Sequence, residues 1–283
     1  MGDSGTSTRA AWLGACRQAA TAIGAMLAER SSTAERVAET GSRGSGGDRT
    51  LEIDAAAEQL VFDQLERLHG EGHRFSAISE ERGAVDFGAP GVLVVIDPID
   101  GSLNAKRGIS HHGLSIAVAG GETMADVSFG FVHDFGTGEE WWAASGEGAF
   151  LDGRRLDAGV GERRARDGRI EVVGIESADP RWLQGAIETL VERAYRLRAL
   201  GAIAPSLCQV AAGRFDGLVS LRDCRAVDAA AAQLIVREAG GLVGFPAFEQ
   251  RLAAPLDLVP HSPVVAARTP ATLAELEAVC LPR

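Results

Sequence analysis

The stretch Val94-Val95-Ile96-Asp97-Pro98-Ile99-Asp100-Gly101-Ser102-Leu103-Asn104 sets two carboxylates around a proline at the end of an apolar run. Val92 to Ile96 has the largely β-branched character of a buried strand. Pro98 has no amide hydrogen to give to a sheet ladder, so the strand is expected to stop at Asp97 and leave both acids at its C-terminal edge. Pro98 fixes its own φ and holds Asp97 extended, which lets the two carboxylates and the Ile99 carbonyl converge on one small volume. Gly101 permits close backbone approach to a ligand, and a helical turn starting there would turn the Gly101 and Ser102 amides outward. Such a cluster reads as a metal and phosphate site. Asp-Pro and Asp-Gly also occur in plain surface turns, and two further acidic elements weigh against that simpler reading.

The first is Ile78-Ser79-Glu80-Glu81-Arg82-Gly83, where the strand-like run Phe75 to Ser79 ends in two adjacent glutamates. Neighbours in an extended segment point to opposite sides, so one can face a metal while the other faces solvent or a second ion. The second is Arg225-Ala226-Val227-Asp228, followed by Ala229 to Ala232. Asp228 suits the N-cap or first turn of a helix, and the alanines let that helix pack close to a neighbour. Asp54, in Thr50-Leu51-Glu52-Ile53-Asp54, opens a further helix over Ala55 to Leu68.

In this order the elements resemble the inositol monophosphatase family of metal-dependent sugar phosphatases, from about Asp48 to about Gly244. The Gly146-Glu-Gly-Ala-Phe150 turn and Glu238-Ala239-Gly240-Gly241 fall where that family has them. The Thr50 to Asp54 spacing and the Leu103-Asn104-Ala105 continuation look most like the archaeal-type branch that acts on both inositol phosphates and fructose 1,6-bisphosphate. Ser102 stands where the family usually has Thr and keeps the hydroxyl. Val227 replaces a frequent Trp, Ala202 a usual Ser or Thr, and Leu221 a Glu that contacts the inositol ring in many members.

The resemblance implies metal ligands at Glu80, Asp97, the Ile99 carbonyl, Asp100 and Asp228, with Asp97 shared between two ions and a third ion possible. It implies that Asp54 and Ser102, with Glu80, prepare the attacking water. The Gly101 and Ser102 amides would bind phosphate, and Gly201, Ala202 and Arg222 would border the substrate. Chemistry supports this independently, because several adjacent carboxylates cannot all stay ionised without a cation. An all-oxygen set with no paired His or Cys suits Mg²⁺, with Mn²⁺ as a substitute. Two ions about 3.5–4 Å apart would clamp the attacking water and leaving oxygen for in-line displacement. The expected activity is hydrolysis of a small polyol or sugar phosphate, inositol phosphate or fructose 1,6-bisphosphate first. Nucleotide 3′-phosphates and histidinol phosphate are alternatives. For fructose 1,6-bisphosphate, the second phosphate would need Arg198, Arg222 or Arg225. A protein-interaction module with a vestigial metal site is the alternative from another class.

The 283 residues, 46% of them hydrophobic, can bury a substantial core as one large or two closely joined domains. The expected division is an N-terminal half, 1–150, with the Glu-Glu and Asp-Pro-Ile-Asp-Gly-Ser motifs, and a C-terminal half, 151–283, with Asp228. A net charge of −11 argues against a nucleic-acid partner. The only lysine, Lys106, sits with Arg107 beside the acidic turn, where the pair could bind an anionic substrate group or form a plain solvated face, the latter slightly preferred. Cys16, Cys208, Cys224 and Cys280 have no metal or redox spacing and read as reduced thiols. No signal pattern or bilayer-length apolar run is present, so a cytoplasmic location without a membrane partner is expected. Homodimerisation is expected by resemblance.

Residues 8 to 30 have helical spacing, with Trp12, Ala15, Ala19, Ile23, Met26 and Leu27 on one face. Residues 39 to 49 read as a flexible glycine-rich segment, either a lid or a connector. Strands are expected near Leu114–Val118, Val127–Val132, Glu140–Ala144 and Ala149–Leu151, and His111 and His112 as loop residues. The second half alternates helix (182–192, 205–213 and after Asp228) with strand (194–200, 217–221). That alternation and the resemblance imply an α/β (α+β) fold, a five-layered α-β-α-β-α sandwich.

Overall fold

Gly113–Ala119 is buried along its whole length because helices cover both faces of the sheet it belongs to. The protein is described here by a computed structural model, which covers residues 3–30, 39–43, 45 and 49–280. Two small strands, β1 (Glu39–Arg43) and β2 (Arg49–Leu51), pair with each other. A seven-stranded sheet follows in sequence order: β3 (Phe75–Ser79), β4 (Gly83–Asp100), β5 (Gly113–Ala119), β6 (Val127–Asp134), β7 (Glu140–Ala144), β8 (Gly148–Leu151) and β9 (Arg154–Arg155). β4 wraps β3: Gly83 to Phe87 runs back along it, and Leu93 to Ile96 runs beside it in the parallel sense. From β4 to β9 each strand is antiparallel to the next.

The second sheet holds β10 (Ile170–Glu176), β11 (Ala194–Arg198), β12 (Gly217–Ser220), β13 (Leu242–Gly244) and β14 (Val265–Ala267), in the order β11-β10-β12-β14-β13. Three helix layers complete the sandwich. α1 (Asp3–Glu29) and α2 (Glu52–Gly70) cover the outer face of the first sheet, where the ring of Trp12 meets Phe75 edge-on at 5.2 Å. A short α3 (Ser102–Arg107) follows β4. α4 (Pro180–Arg193) and α7 (Pro270–Cys280) cover the outer face of the second sheet. Between the sheets lie α5 (Ile203–Ala211) and α6 (Ala226–Glu238). The result is the five-layered α-β-α-β-α arrangement.

The alanines of α6 explain how a helix fits there. A methyl group at Gly130 of β6 would lie 2.5 Å from the Ala231 carbonyl oxygen, so helix and strand meet at a distance only glycine and alanine allow. Ala229 to Ala232 are all buried.

Several expectations shift. β4 does not stop at Asp97: Asp97 pairs with Ser115 and Asp100 with Gly113, so one extra residue is accommodated as a bulge around Pro98 and Ile99. A bulge is where a sheet tolerates a residue without an amide hydrogen. The glycine-rich 39–49 segment forms β1 and β2, and its residues 44 and 46–48 lie outside the described ones. Helix α6 begins at Ala226, so of the two positions expected for Asp228, N-cap or first turn, it takes the first turn. Strand β10, Ile170-Glu-Val-Val-Gly-Ile-Glu176, was not anticipated, although its apolar run is a legible strand signal. No helix among the described residues is long and apolar enough to cross a membrane.

Candidate active site

The bulge turns Asp97 and Asp100 into the space between the two sheets, where both are buried. Asp97 Oδ1 accepts the Ile99 amide at 3.0 Å, which fixes the turn around Pro98. Asp100 Oδ2 accepts the Ala204 amide at 2.5 Å, across the layers at the start of α5. On the far side, Asp228 Oδ2 accepts the Arg225 amide at 2.8 Å. Glu80 follows the end of β3, and its Oε1 lies 2.8 Å from Arg225 Nη1. Arg225 Nη2 lies 3.4 Å from Asp228 Oδ1.

Arg225 therefore bridges the two acids that come from opposite sheets' surroundings. Burial works against its charge, but Asp228, Glu80 and Asp97 raise its pKa above the ordinary arginine value. The acids are strained in the opposite sense. Burial, then the charges of Glu80, Asp100 and Asp228, pushes Asp97 well above the usual carboxylate range. Burial and Asp228 do the same to Asp100 against the opposing amide of Ala204. Glu80 is raised chiefly by burial, with Arg225 pulling it down and Asp228 up.

Among the described residues no three acidic, histidine or cysteine side chains are drawn tightly enough together to cage an ion as they stand. The donor chemistry nevertheless fits a divalent cation. Four carboxylates (Glu80, Asp97, Asp100, Asp228) face one guanidinium, leaving three uncompensated negative charges if all are ionised. Oxygen is the only donor type, and a hard ion relieves such repulsion better than proton uptake does.

Asp54 sits half-buried in the first turn of α2. One turn later on the same face, Glu58 accepts the Ser79 hydroxyl and the Arg82 amide, the latter at 3.0 Å. These contacts clamp α2 onto the turn that carries Glu80.

Gly101 precedes α3 with φ +83°, and a methyl group there would lie 2.8 Å from Ala202 Cβ and 3.1 Å from the Gly201 carbonyl oxygen. Glycine is required twice over, by conformation and by space. Asn104 ties this seam: its Nδ2 donates to the His111 carbonyl at 2.9 Å and the Leu200 carbonyl at 2.6 Å. Beside the seam opens a cavity of about 690 Å³ lined by Asp100, Ala202, Arg222, Arg225 and Asp228, among others.

Arg222 lies 5.1 Å from the ring of Trp182, whose exposed indole forms part of the same wall. Arg198 turns its Nη1 to the Leu197 carbonyl and is not in the lining. Lys106 and Arg107 are not in it either. Leu221 packs against the apolar core of the second sheet, so no carboxylate enters the cavity from that position.

The sequence profile of the inositol monophosphatase family matches residues 10–279. The chain belongs to that family. A fructose-1,6-bisphosphatase/inositol-1-monophosphatase of Methanothermobacter thermautotrophicus is 35% identical over 211 residues, 71% of this chain and 72% of that protein. The Nus factor SuhB of Escherichia coli is 33% identical over 230 residues, 80% and 82% of the two chains. Among solved structures, an inositol monophosphatase–fructose 1,6-bisphosphatase superposes with a TM-score of 0.79 at 25% identity, covering 95% of this chain and 99% of the other. The SuhB extragenic suppressor protein of Bartonella henselae superposes with a TM-score of 0.75 at 25% identity, covering 95% and 98%. The chain is thus a phosphatase-family protein with a family fold.

The sequence-derived candidates divide by location. Glu80, Asp97, Asp100 and Asp228 interact electrostatically, Gly101 touches Gly201 and Ala202, and Arg222 borders the cavity. Ser102 opens α3, half-buried. Sequence reasoning did not single out the bridging by Arg225, the Asn104 tie, or Glu176 on the cavity wall. Arg225 carried one signal, a cation three residues before an acid at a helix start.

Proposed function

We propose that the protein is a Mg²⁺-dependent phosphomonoesterase for a small polyol or sugar phosphate, with Mn²⁺ as a substitute ion. The observation that carries this reading is the group of half-buried Glu80 and buried Asp97, Asp100 and Asp228 around one guanidinium, at the edge of a cavity of substrate size. Glu80, Asp97, the Ile99 carbonyl, Asp100 and Asp228 would hold the ions. When bound, Mg²⁺ supplies Lewis acidity toward the phosphate and makes water a better nucleophile.

The chain's own residues do the rest. The Gly101 and Ser102 amides receive phosphate oxygens, and Gly101 allows the close approach. Asp54 and the Ser102 hydroxyl orient the attacking water and take up its proton, assisted by Glu80. Water adds to phosphorus as the P–O ester bond opposite it breaks, and the leaving alkoxide takes a proton from a second water to depart as the alcohol. Gly201 and Ala202 form the facing wall, with Ala202 offering no hydroxyl.

One observation favours a sugar bisphosphate over inositol 1-phosphate. Arg222 borders the cavity and is not paired to a carboxylate in any described ion pair, whereas Arg225 is engaged with Glu80 and Asp228, and Arg198 lies elsewhere. Arg222 is thus the available partner for a second phosphate, and Leu221 brings no carboxylate for the inositol ring. The names of the relatives, fructose-1,6-bisphosphatase/inositol-1-monophosphatase, agree with either substrate.

The name Nus factor, carried by the SuhB relatives, is what keeps an interaction role in view. A buried acidic group is costly to keep for folding alone, which favours the enzyme. We further propose a cytoplasmic homodimer, with residues 1–150 and 151–283 as its two structural halves.

Phosphate release from inositol 1-phosphate, fructose 1,6-bisphosphate, histidinol phosphate and adenosine 3′,5′-bisphosphate, with Mg²⁺ and with chelator, tests the reading on wild type and Asp97→Asn. Release that requires both the metal and Asp97 is expected. Release that persists with chelator, or none from any ester, rejects the metal-phosphatase reading.

A further inference from the structure

Glu176 closes β10 and lines the cavity, yet the hydrolytic roles above make no use of it. Its Oε2 accepts the Gly201 amide at 3.0 Å, its Oε1 accepts the Ser206 hydroxyl at 2.6 Å, and the Leu200 amide also bonds to the carboxylate. Ser206 Oγ is in turn 2.9 Å from His111 Nε2, and His111 Nδ1 is 3.5 Å from the buried Asp134. A carboxylate has about four acceptor positions, so three protein donors leave about one for the cavity.

The surroundings are built to hold that carboxylate still. Ser177, directly after Glu176, has φ +54°, and His111 has φ +86°; they are two of the three non-glycine residues with positive φ among the described residues. Backbone held in that region needs its neighbours to enforce it. Closing a strand does not require a buried carboxylate, and its burial here is supported by the Gly201 and Leu200 amides and the Ser206 hydroxyl. Other lining side chains have different work: Leu103 is apolar, Trp182 and Arg222 only donate, Asp100 and Asp228 belong to the proposed ion site, and Asp179 is spent on Arg181, accepting its amide at 2.8 Å and its Nη2 at 2.6 Å. Gly201 is the shared neighbour of Glu176 and of the Gly101 turn, which puts the carboxylate one residue away from the proposed phosphate cradle.

Resting on the phosphatase reading above, we propose that Glu176 is a specificity-determining residue that accepts a hydroxyl of the polyol part of the substrate while the ester phosphate lies at the Gly101 turn. Substrates with a hydroxyl near the ester are selected, and aryl or plain alkyl phosphates forgo this contact.

The test compares inositol 1-phosphate with phenyl phosphate on wild type, Glu176→Gln and Ser206→Ala, by steady-state kinetics and by calorimetric Kd. In Glu176→Gln the ratio of kcat/KM for the polyol ester to that for the aryl ester should fall about tenfold, mostly through KM. In Ser206→Ala, which loosens the carboxylate without altering a lining residue, it should fall about threefold. Equal losses for both esters, or an unchanged ratio in both variants, overturns the proposal. If Glu176→Gln does not fold, as judged by circular dichroism, the Ser206→Ala ratio decides alone. If the wild type hydrolyses neither ester, the phosphatase reading falls only when fructose 1,6-bisphosphate and the other esters named above also release no phosphate, and the two Kd values still decide whether Glu176 selects hydroxyls. Equal Kd values for the two esters, or binding of neither, reject the proposal.

Discussion

Replacing Glu176 by Gln should stabilise the metal-free protein, and the gain should grow with pH. Burial pushes the Glu176 carboxyl up from 4.5 to about 7, against the opposing pull of the Ser206 hydroxyl and His111. A raised carboxyl pKa means that the folded protein holds this proton more tightly than the unfolded chain. Its favourable contribution is complete below about pH 4.5 and is lost as pH rises through about 7. A shift of about 2.5 units corresponds to about 3 kcal/mol, of which about 2 kcal/mol falls between pH 5.5 and 8.

Gln can keep the Gly201 and Ser206 contacts. Its carbonyl accepts the Gly201 amide, and its amide donates to Ser206 Oγ, which then donates to His111 Nε2 with the ring proton on Nδ1 facing Asp134. Urea unfolding in chelator at pH 5.5, 7 and 8 measures the difference between variant and wild type. That difference should move by about 2 kcal/mol in favour of the variant over this range. A difference that stays constant within about 0.5 kcal/mol refutes the buried, strained carboxylate.

Arg225→Met should destabilise the metal-free protein by about 3–5 kcal/mol, because Glu80 and Asp228 lose their shared cation. Calorimetric Mg²⁺ or Mn²⁺ affinity should rise in that variant, since no guanidinium competes for the acids; unchanged affinity and stability would remove Arg225 from the site. Gly101→Ala should cost about 2 kcal/mol, measured by thermal unfolding, through its φ of +83° and its clash with Ala202. Phosphate release should fall in parallel. Asn104→Ala should cost about 2–3 kcal/mol in urea unfolding, because the His111 and Leu200 carbonyls both lose their donor. A cost below about 0.5 kcal/mol would mean that the seam is held elsewhere.

Local chemistry carried much of the reading. Apolar runs broken by glycine and proline gave β3, β5, β6, β7 and β8, and helical spacing gave α1 with Trp12, Ala15, Ala19, Ile23 and Leu27 buried. Asp97, Asp100, Glu80 and Asp228 could be singled out because carboxylates at strand ends and helix starts are conspicuous against an apolar background. Their mutual electrostatic influence is a tertiary fact, produced by the bulge at Pro98 and by the packing of α6 against β6 at Gly130.

Arg225 shows the limit more sharply. Its place near Asp228 is written in the chain, but its bond to Glu80 joins residues 145 positions apart (225 minus 80) and depends on how the two sheets face each other. Glu176 lacks even a local hint. A glutamate ending a strand is ordinarily solvated, and only the closing of the 200–206 segment over it makes it a buried carboxylate with fixed donors. Sequence by itself determined the elements, their order and the acidic motifs, because hydrophobic period and turn chemistry act between near neighbours. The tertiary structure decided which acids share a cation, which arginine borders the cavity and which strand-end carboxylate lines it, because burial and charge act through space.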